Sequence, residues 1–324
     1  MKKNSSTCFS RREFLAAQGA LLCGLAAAAS PLRAAEEKAK PGLKIGIATF
    51  GFPELTNAAL AKELAGAGLR RIQLFLAQAD SKFWKYNGRS DVSSLTPARC
   101  LEIAAPYRDA GIELHSMGVY TNLIHPDEKE RAANLAYFDA MMEVGGRMGV
   151  RTFITEAGHY QDPKAPAPAV PLEFQDEVWP RMVATGRELA ALAAKHDAKV
   201  LFEPFYRGFL ASAKRLRMFL EELNSPRMRA LLDAANLIEV NDVDEMFQQL
   251  TPWIDCIHAK DRKLHTDRGV AAGKGDLDYR RFVTLAAQRT PGVPLVLEYV
   301  GAADYRAALD HLRNTLRETG IEAT

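Results

Sequence analysis

The chain has only four cysteines in 324 residues, at positions 8, 23, 100 and 256. That is too few for a disulfide framework, so a hydrophobic core has to hold the fold. Long apolar runs are also missing. The longest, residues 15–29, falls short of the ~20 residues needed to span a bilayer. Charge of either sign is not in excess, with 42 Lys and Arg against 40 Asp and Glu. There is no basic patch of the kind that tracks a nucleic-acid backbone.

What is present begins with the N-terminus. Lys2 and Lys3 precede Ser10, Arg11, Arg12, Glu13, Phe14 and Leu15, and an alanine-rich apolar stretch follows. A basic start, a twin-arginine motif and a short apolar segment predict a Tat export signal over residues 1–35, cleaved between 29 and 35. Leu22 before Cys23 argues against a lipoprotein site. The expected mature protein is periplasmic and has no stable membrane anchor. Removing residues 1–35 takes away Lys2, Lys3, Arg11, Arg12 and Arg33 but only Glu13, so the formal charge moves from +2 to −2. Cys100 and Cys256 remain, and one bridge between them stays open. Residues 36–43 read as a linker.

Residues 44–324 alternate strand-like and helix-like segments. Strands are expected at 44–49, 71–76, 111–117, 151–156, 199–203, 229–233, 254–258 and 294–298. Amphipathic helices are expected at 53–68, 96–110, 126–148, 177–196, 212–224, 242–250, 278–289 and 301–319. Thr96 before Pro97 reads as a helix N-cap with proline at the first position. Gly111 and Gly149 follow helices, as terminating glycines do. Continuous apolar strands alternating with helices imply parallel βαβ units, and eight of them favour a closed (β/α)8 TIM barrel. Loops 77–95 and 157–176 follow strands, so they belong to the face that carries active sites, either as a pocket wall or as tolerated insertions.

Four strands in the second half end on potential metal ligands: Glu203, Asp233, His258 and Glu298. Adjacent strands lie ~4.8 Å apart, so four neighbouring strand ends can converge on one ion. Three carboxylates and an imidazole favour Mn, Mg or Co, and tolerate Zn or Fe. Further candidates for substrate contact are His115, Glu156, Asn236, Lys260 and Arg207, with His159 in the loop behind Glu156. Phe50, Phe52, Trp84, Phe205 and Tyr206 are candidates for an aromatic wall.

His258-Ala-Lys-Asp261, followed by Gly273-Lys-Gly275-Asp276-Leu-Asp278, resembles the HxKD…GxGxxD pattern of the sugar phosphate isomerase/epimerase family. These are xylose isomerase-like TIM barrels of the AP endonuclease family 2 superfamily. Asp233 with Asn236 is similar to its strand-six motif, and Glu203-Pro204 and Glu298 are similar to its strand-five and strand-eight glutamates. The resemblance implies one divalent metal held by Glu203, Asp233, His258 and Glu298. It also implies that Glu203 and Glu298 exchange a proton α to a carbonyl through an enediolate. Asn236 stands where the sugar epimerases carry histidine. A three-metal endonuclease needs several more histidines at the site, and of the seven present His125, His196 and His311 fall in helix or helix-start positions. The expected function is therefore a metal-dependent isomerase or epimerase acting on a sugar or polyol ketone. The alternatives are a lyase or hydratase acting on 3-keto-glycosides, or a non-catalytic carbohydrate-binding barrel. A homodimer or tetramer is compatible with either enzyme.

Overall fold

The computed structural model describes residues 42–161, 171–266 and 268–324. The expected export signal lies outside them. Of the expected linker, Gly42 and Leu43 are described. They form a short parallel strand with Glu322–Ala323, tying the first described residues to the C-terminal end.

Eight parallel strands make the barrel: β1 (Ile45–Ala48), β2 (Arg71–Leu74), β3 (Glu113–Gly118), β4 (Thr152–Thr155), β5 (Lys199–Phe202), β6 (Met228–Asp233), β7 (Ile254–Arg262) and β8 (Leu295–Leu297). Each pairs with its chain neighbour, and β8 pairs with both β7 and β1, which closes the sheet. The helices α1 (Asn57–Gly66), α2 (Pro97–Asp109), α3 (Glu128–Arg147), α4 (Val178–Lys195), α5 (Ala213–Leu223), α6 (Val243–Leu250), α7 (Tyr279–Arg289) and α8 (Tyr305–Glu318) fill the connections. All sixteen expected elements form. Thr96 caps α2 by accepting from Arg99 N, as its place before Pro97 predicts. No described helix is long and apolar enough to cross a membrane.

The apolar residues form two layers. One lies between strands and helices, and its largest side chains include Phe138, Phe153, Phe202, Phe219 and Phe282. The other fills the barrel with one residue from each strand or its end: Ala48, Phe75, Tyr120, Ile154, Leu201, Leu231, Cys256 and Val296. Cys256 belongs to this inner layer and Cys100 to the outer one, and both thiols are free.

The inner layer sets the phase of everything above it. Side chains alternate between the two faces of a strand. Residues two positions further along therefore also point inward, at the mouth. Glu156, Glu203, Asp233, His258 and Glu298 stand two residues after Ile154, Leu201, Leu231, Cys256 and Val296. A bulge at Asp255 adjusts the register so that Asp233 lies directly opposite His258.

A candidate metal centre at the barrel mouth

Glu203, Asp233, His258 and Glu298 are brought together and buried, with one ligand atom from each lying within 4.8 Å of the others. His258 Nδ1 is 3.5 Å from Glu203 Oε1, 3.6 Å from Asp233 Oδ2 and 3.4 Å from Glu298 Oε2. Two atoms bound to one ion at ~2.1 Å lie roughly 3.0–3.4 Å apart in octahedral or tetrahedral geometry. The set therefore closes on an ion with little movement.

The partners of His258 fix its orientation. Its Nε2 donates to Gln73 Oε1 at 2.7 Å, which leaves the Nδ1 lone pair aimed at the carboxylates. Nδ1 is buried and has no hydrogen-bond partner among the described residues. Burial opposes a charge on the ring. The charges of Glu298 and Glu203 outweigh burial and hold the imidazole well above its usual range. The surroundings thus call for positive charge at this point. Three carboxylates face one ammonium, Lys260, whose Nζ lies 2.7 Å from Asp233 Oδ2 and 3.1 Å from Glu298 Oε2. With His258 neutral the set is short by two positive charges, which is what a single divalent cation supplies. Orphan atom, spacing and charge all fit.

The two glutamates differ. Burial and then the Glu298 charge push Glu203 up, whereas Glu298 is held down because His258 and Lys260 outweigh its own burial. Glu203 is fixed by Tyr120, whose hydroxyl donates to Oε2 at 2.6 Å, and by Asn236 Nδ2, which donates to Oε1 at 2.9 Å. Asn236 itself is positioned by its backbone N–H, which donates to Asp233 Oδ1 at 3.0 Å.

Above the cluster is a cavity of about 220 Å³. Its polar wall is Glu156, Glu203, Asn236, Lys260, Arg262 and Glu298, from the ends of β4 to β8. The facing wall is aromatic, with Phe50, Phe75, Trp84 and Tyr120 following β1, β2 and β3. Tyr299, after β8, lies under Lys260 Nζ, which is 4.4 Å from its ring centre. Burial and then the Glu203 charge push Glu156 up to about 8.

Several expected contacts are placed elsewhere. His115 does not reach the mouth. Strand β3 runs three residues beyond it to Gly118, and His115 is the bulged residue between Leu114 and Ser116. The charges around it are Glu113, Arg71, Asp255 and Lys44, at the starts of strands, which is the barrel floor. Burial lowers it to about 4. Arg207 is exposed, with its guanidinium 5.3 Å from the Tyr206 ring centre, and it does not line the cavity. The guanidinium at the cavity is Arg262, which is buried and donates from Nε to the Ala235 carbonyl at 2.8 Å. Phe52 is a core residue against Tyr305. Lys260, Asn236, Glu156, Phe50, Trp84 and Phe205 do line the cavity.

Sequence reasoning missed Gln73, Tyr120, Arg262, Phe75 and Tyr299. Arg262 was within reach, since it lies four residues beyond His258 on the same strand phase. Much of the HxKD…GxGxxD pattern proves to be scaffolding. Asp261 Oδ1 accepts from Arg262 N at 2.8 Å and Leu277 N at 3.0 Å, and Asp278 caps α7. A Cβ at Gly275 would sit 2.3 Å from Asp261 Oδ1 and 2.4 Å from the Arg262 carbonyl, so only glycine fits.

Solved structures of the same fold include D-psicose 3-epimerase with D-tagatose from Clostridium cellulolyticum H10, 16% identical with a TM-score of 0.65, covering 85% of this chain and 99% of that one. A 3-keto-D-glucoside 4-epimerase from E. coli is 17% identical with a TM-score of 0.65, covering 84% and 99%. A probable 3-DHS dehydratase from Bacillus anthracis is 18% identical with a TM-score of 0.65, covering 85% and 99%. No curated protein sequence matches the chain. Residues 61–315 match a family model, and the chain belongs to the Xylose isomerase-like TIM barrel family.

Proposed function

We propose that this protein is a divalent-metal-dependent isomerase or epimerase that moves a proton α to the carbonyl of a sugar or sugar-like ketone. The observation that carries this reading is the convergence of Glu203, Asp233, His258 and Glu298 within 4.8 Å beneath an open cavity. A divalent cation bound there would supply a Lewis acid for charge developing on a carbonyl oxygen. Glu203 and Glu298 flank the set on β5 and β8. One takes the α-proton and the other returns it on the opposite face. Tyr120 and Asn236 hold the Glu203 carboxylate in place for that transfer. Lys260 and Arg262 are placed to bind substrate oxygens, and the aromatic wall covers the apolar face of a sugar ring.

The structural neighbours named as epimerases support this class, and the one named as a probable dehydratase supports chemistry beside a carbonyl more broadly. We place the reaction in the periplasm on the strength of the twin-arginine segment. Phosphorylated sugars are cytoplasmic intermediates, so an unphosphorylated ketose or 3-keto-glycoside is the substrate class. The test is solvent deuterium exchange into a panel of ketoses and 3-keto-glycosides, with metal analysis of the purified protein. Exchange should require the ion and should fall ~10²–10⁴-fold in Glu203→Gln and Glu298→Gln. Equal turnover by the chelated protein sinks the proposal.

A further inference from the structure

Proton transfer between two faces employs Glu203 and Glu298 and leaves one carboxyl of the mouth without a task. Glu156 has the same inward phase as the metal ligands, two residues after Ile154 of the inner layer. Thr155 pairs with Phe202, so Glu156 and Glu203 end neighbouring strands. Glu156 lines the cavity but is not in the ligand cluster. Among the described residues it makes no ion pair, and its side chain uses Oε2 alone, accepting from Tyr86 Oη at 2.7 Å. Its second oxygen is left for whatever enters the cavity.

Tyr86 sits on the 77–95 loop, which is fastened at both ends. Asn57 Nδ2 donates to Asp80 Oδ1 at 2.7 Å and to Ser81 Oγ at 3.0 Å. Arg89 pairs with Glu130 at 2.9 Å and donates to Asn134. A phenol on an anchored loop therefore fixes a carboxyl that neither binds the ion nor balances a cation. The carboxyl is half-buried at the cavity wall, with one oxygen held by the phenol and the other open to the cavity. Epimerisation has no use for a third carboxyl, because one proton leaves and one returns. Elimination does, because an oxygen departs from the carbon β to the carbonyl and needs a proton as it goes.

We propose that Glu156 is the general acid for a leaving oxygen, so that this pocket catalyses β-elimination from keto sugars that carry a substituent β to the carbonyl. The inference rests on the α-proton abstraction proposed above. The base takes the α-proton, and the C–H electron pair becomes the second bond between the α and β carbons. The Cβ–O bond breaks with its electrons on oxygen, and the Glu156 carboxyl proton goes to that oxygen. The products are an α,β-unsaturated ketone and water or an alcohol. Exchange with solvent resets both carboxyls, and no oxidant or reductant is needed.

The test uses two probes, methyl and 4-nitrophenyl 3-keto-β-D-glucoside, whose glycosidic oxygen is β to the ketone. Methoxide is a poor leaving group and needs the acid, whereas nitrophenolate does not. In Glu156→Gln, methanol release should fall ~10²–10⁴-fold, while nitrophenol release and deuterium exchange at C2 should fall less than tenfold. Tyr86→Phe, which keeps the carboxyl but removes its anchor, should lower methanol release about tenfold and nitrophenol release less. Equal losses for both probes in both variants would make Glu156 a structural group and overturn the proposal. Exchange without release of either alcohol by the wild type would also overturn it and would leave the isomerase reading standing. Absence of exchange would remove both.

Discussion

At the scale of the residue, the site depends on groups that touch the ligands rather than on the ligands alone. Gln73 is the clearest case. It fixes which nitrogen of His258 carries the proton, and outer partners of this kind typically contribute ~10–100-fold to metal affinity. Gln73→Leu is expected to weaken Mn or Co binding by that factor in titration calorimetry. An unchanged affinity would show that the contact is incidental. His115 makes a prediction away from the site. Burial holds it at about 4 in the folded protein, against ~6.5 when unfolded. Below pH 6.5 the unfolded chain binds a proton that the folded chain refuses, so stability falls as the pH drops from 6.5 towards 4. The difference is at most about 3.5 kcal/mol at ~1.4 kcal/mol per unit. Urea unfolding at pH 7 and pH 5 should show a smaller loss in His115→Gln than in the wild type.

At the scale of the element, strand β7 does most to build the mouth. It continues past the barrel wall and folds back on Gly269–Ala271, pairing Lys260 with Ala271 and Arg262 with Gly269. That hairpin presents Lys260 and Arg262 to the cavity, and Asp261 and Gly275 hold its base. Gly275→Ala would push a methyl into backbone and carboxylate at once, and overpacking of this kind costs ~1–3 kcal/mol. A lower melting temperature together with weaker substrate binding is expected. A variant that melts like the wild type would show that the hairpin can yield. The strands and helices were legible in the sequence because apolar periodicity and caps are local signals. The bulge in β3 was not. The strand was expected at 111–117 and forms at 113–118, but the register shift at His115 depends on pairing with β2, which no local pattern records.

At the scale of the whole molecule, the barrel converts separated strand ends into one charged cluster, and the proposed divalent ion is expected to contribute to its stability. A ligand present at 100 times its dissociation constant stabilises the folded state by ~2.7 kcal/mol. Adding EDTA should therefore lower the melting temperature of the wild type and leave that of Asp233→Asn nearly unmoved. Equal shifts in both proteins would place the ion elsewhere.

By itself the sequence determined the eight repeats and the phase of their strand ends, because side-chain alternation is covalent geometry. From that phase Glu203, Asp233, His258 and Glu298 had to face the interior of any closed barrel built from these strands. Tertiary structure alone decided what surrounds them. Tyr120 reaches Glu203 across 83 residues, and Gln73 reaches His258 across 185. Arg262 lines the cavity while Arg207 does not, and His115 belongs to the floor. Such contacts depend on how strands are staggered around the closed sheet. Stagger is set by bulges and pairing between distant segments, and a local pattern of residues holds no record of it.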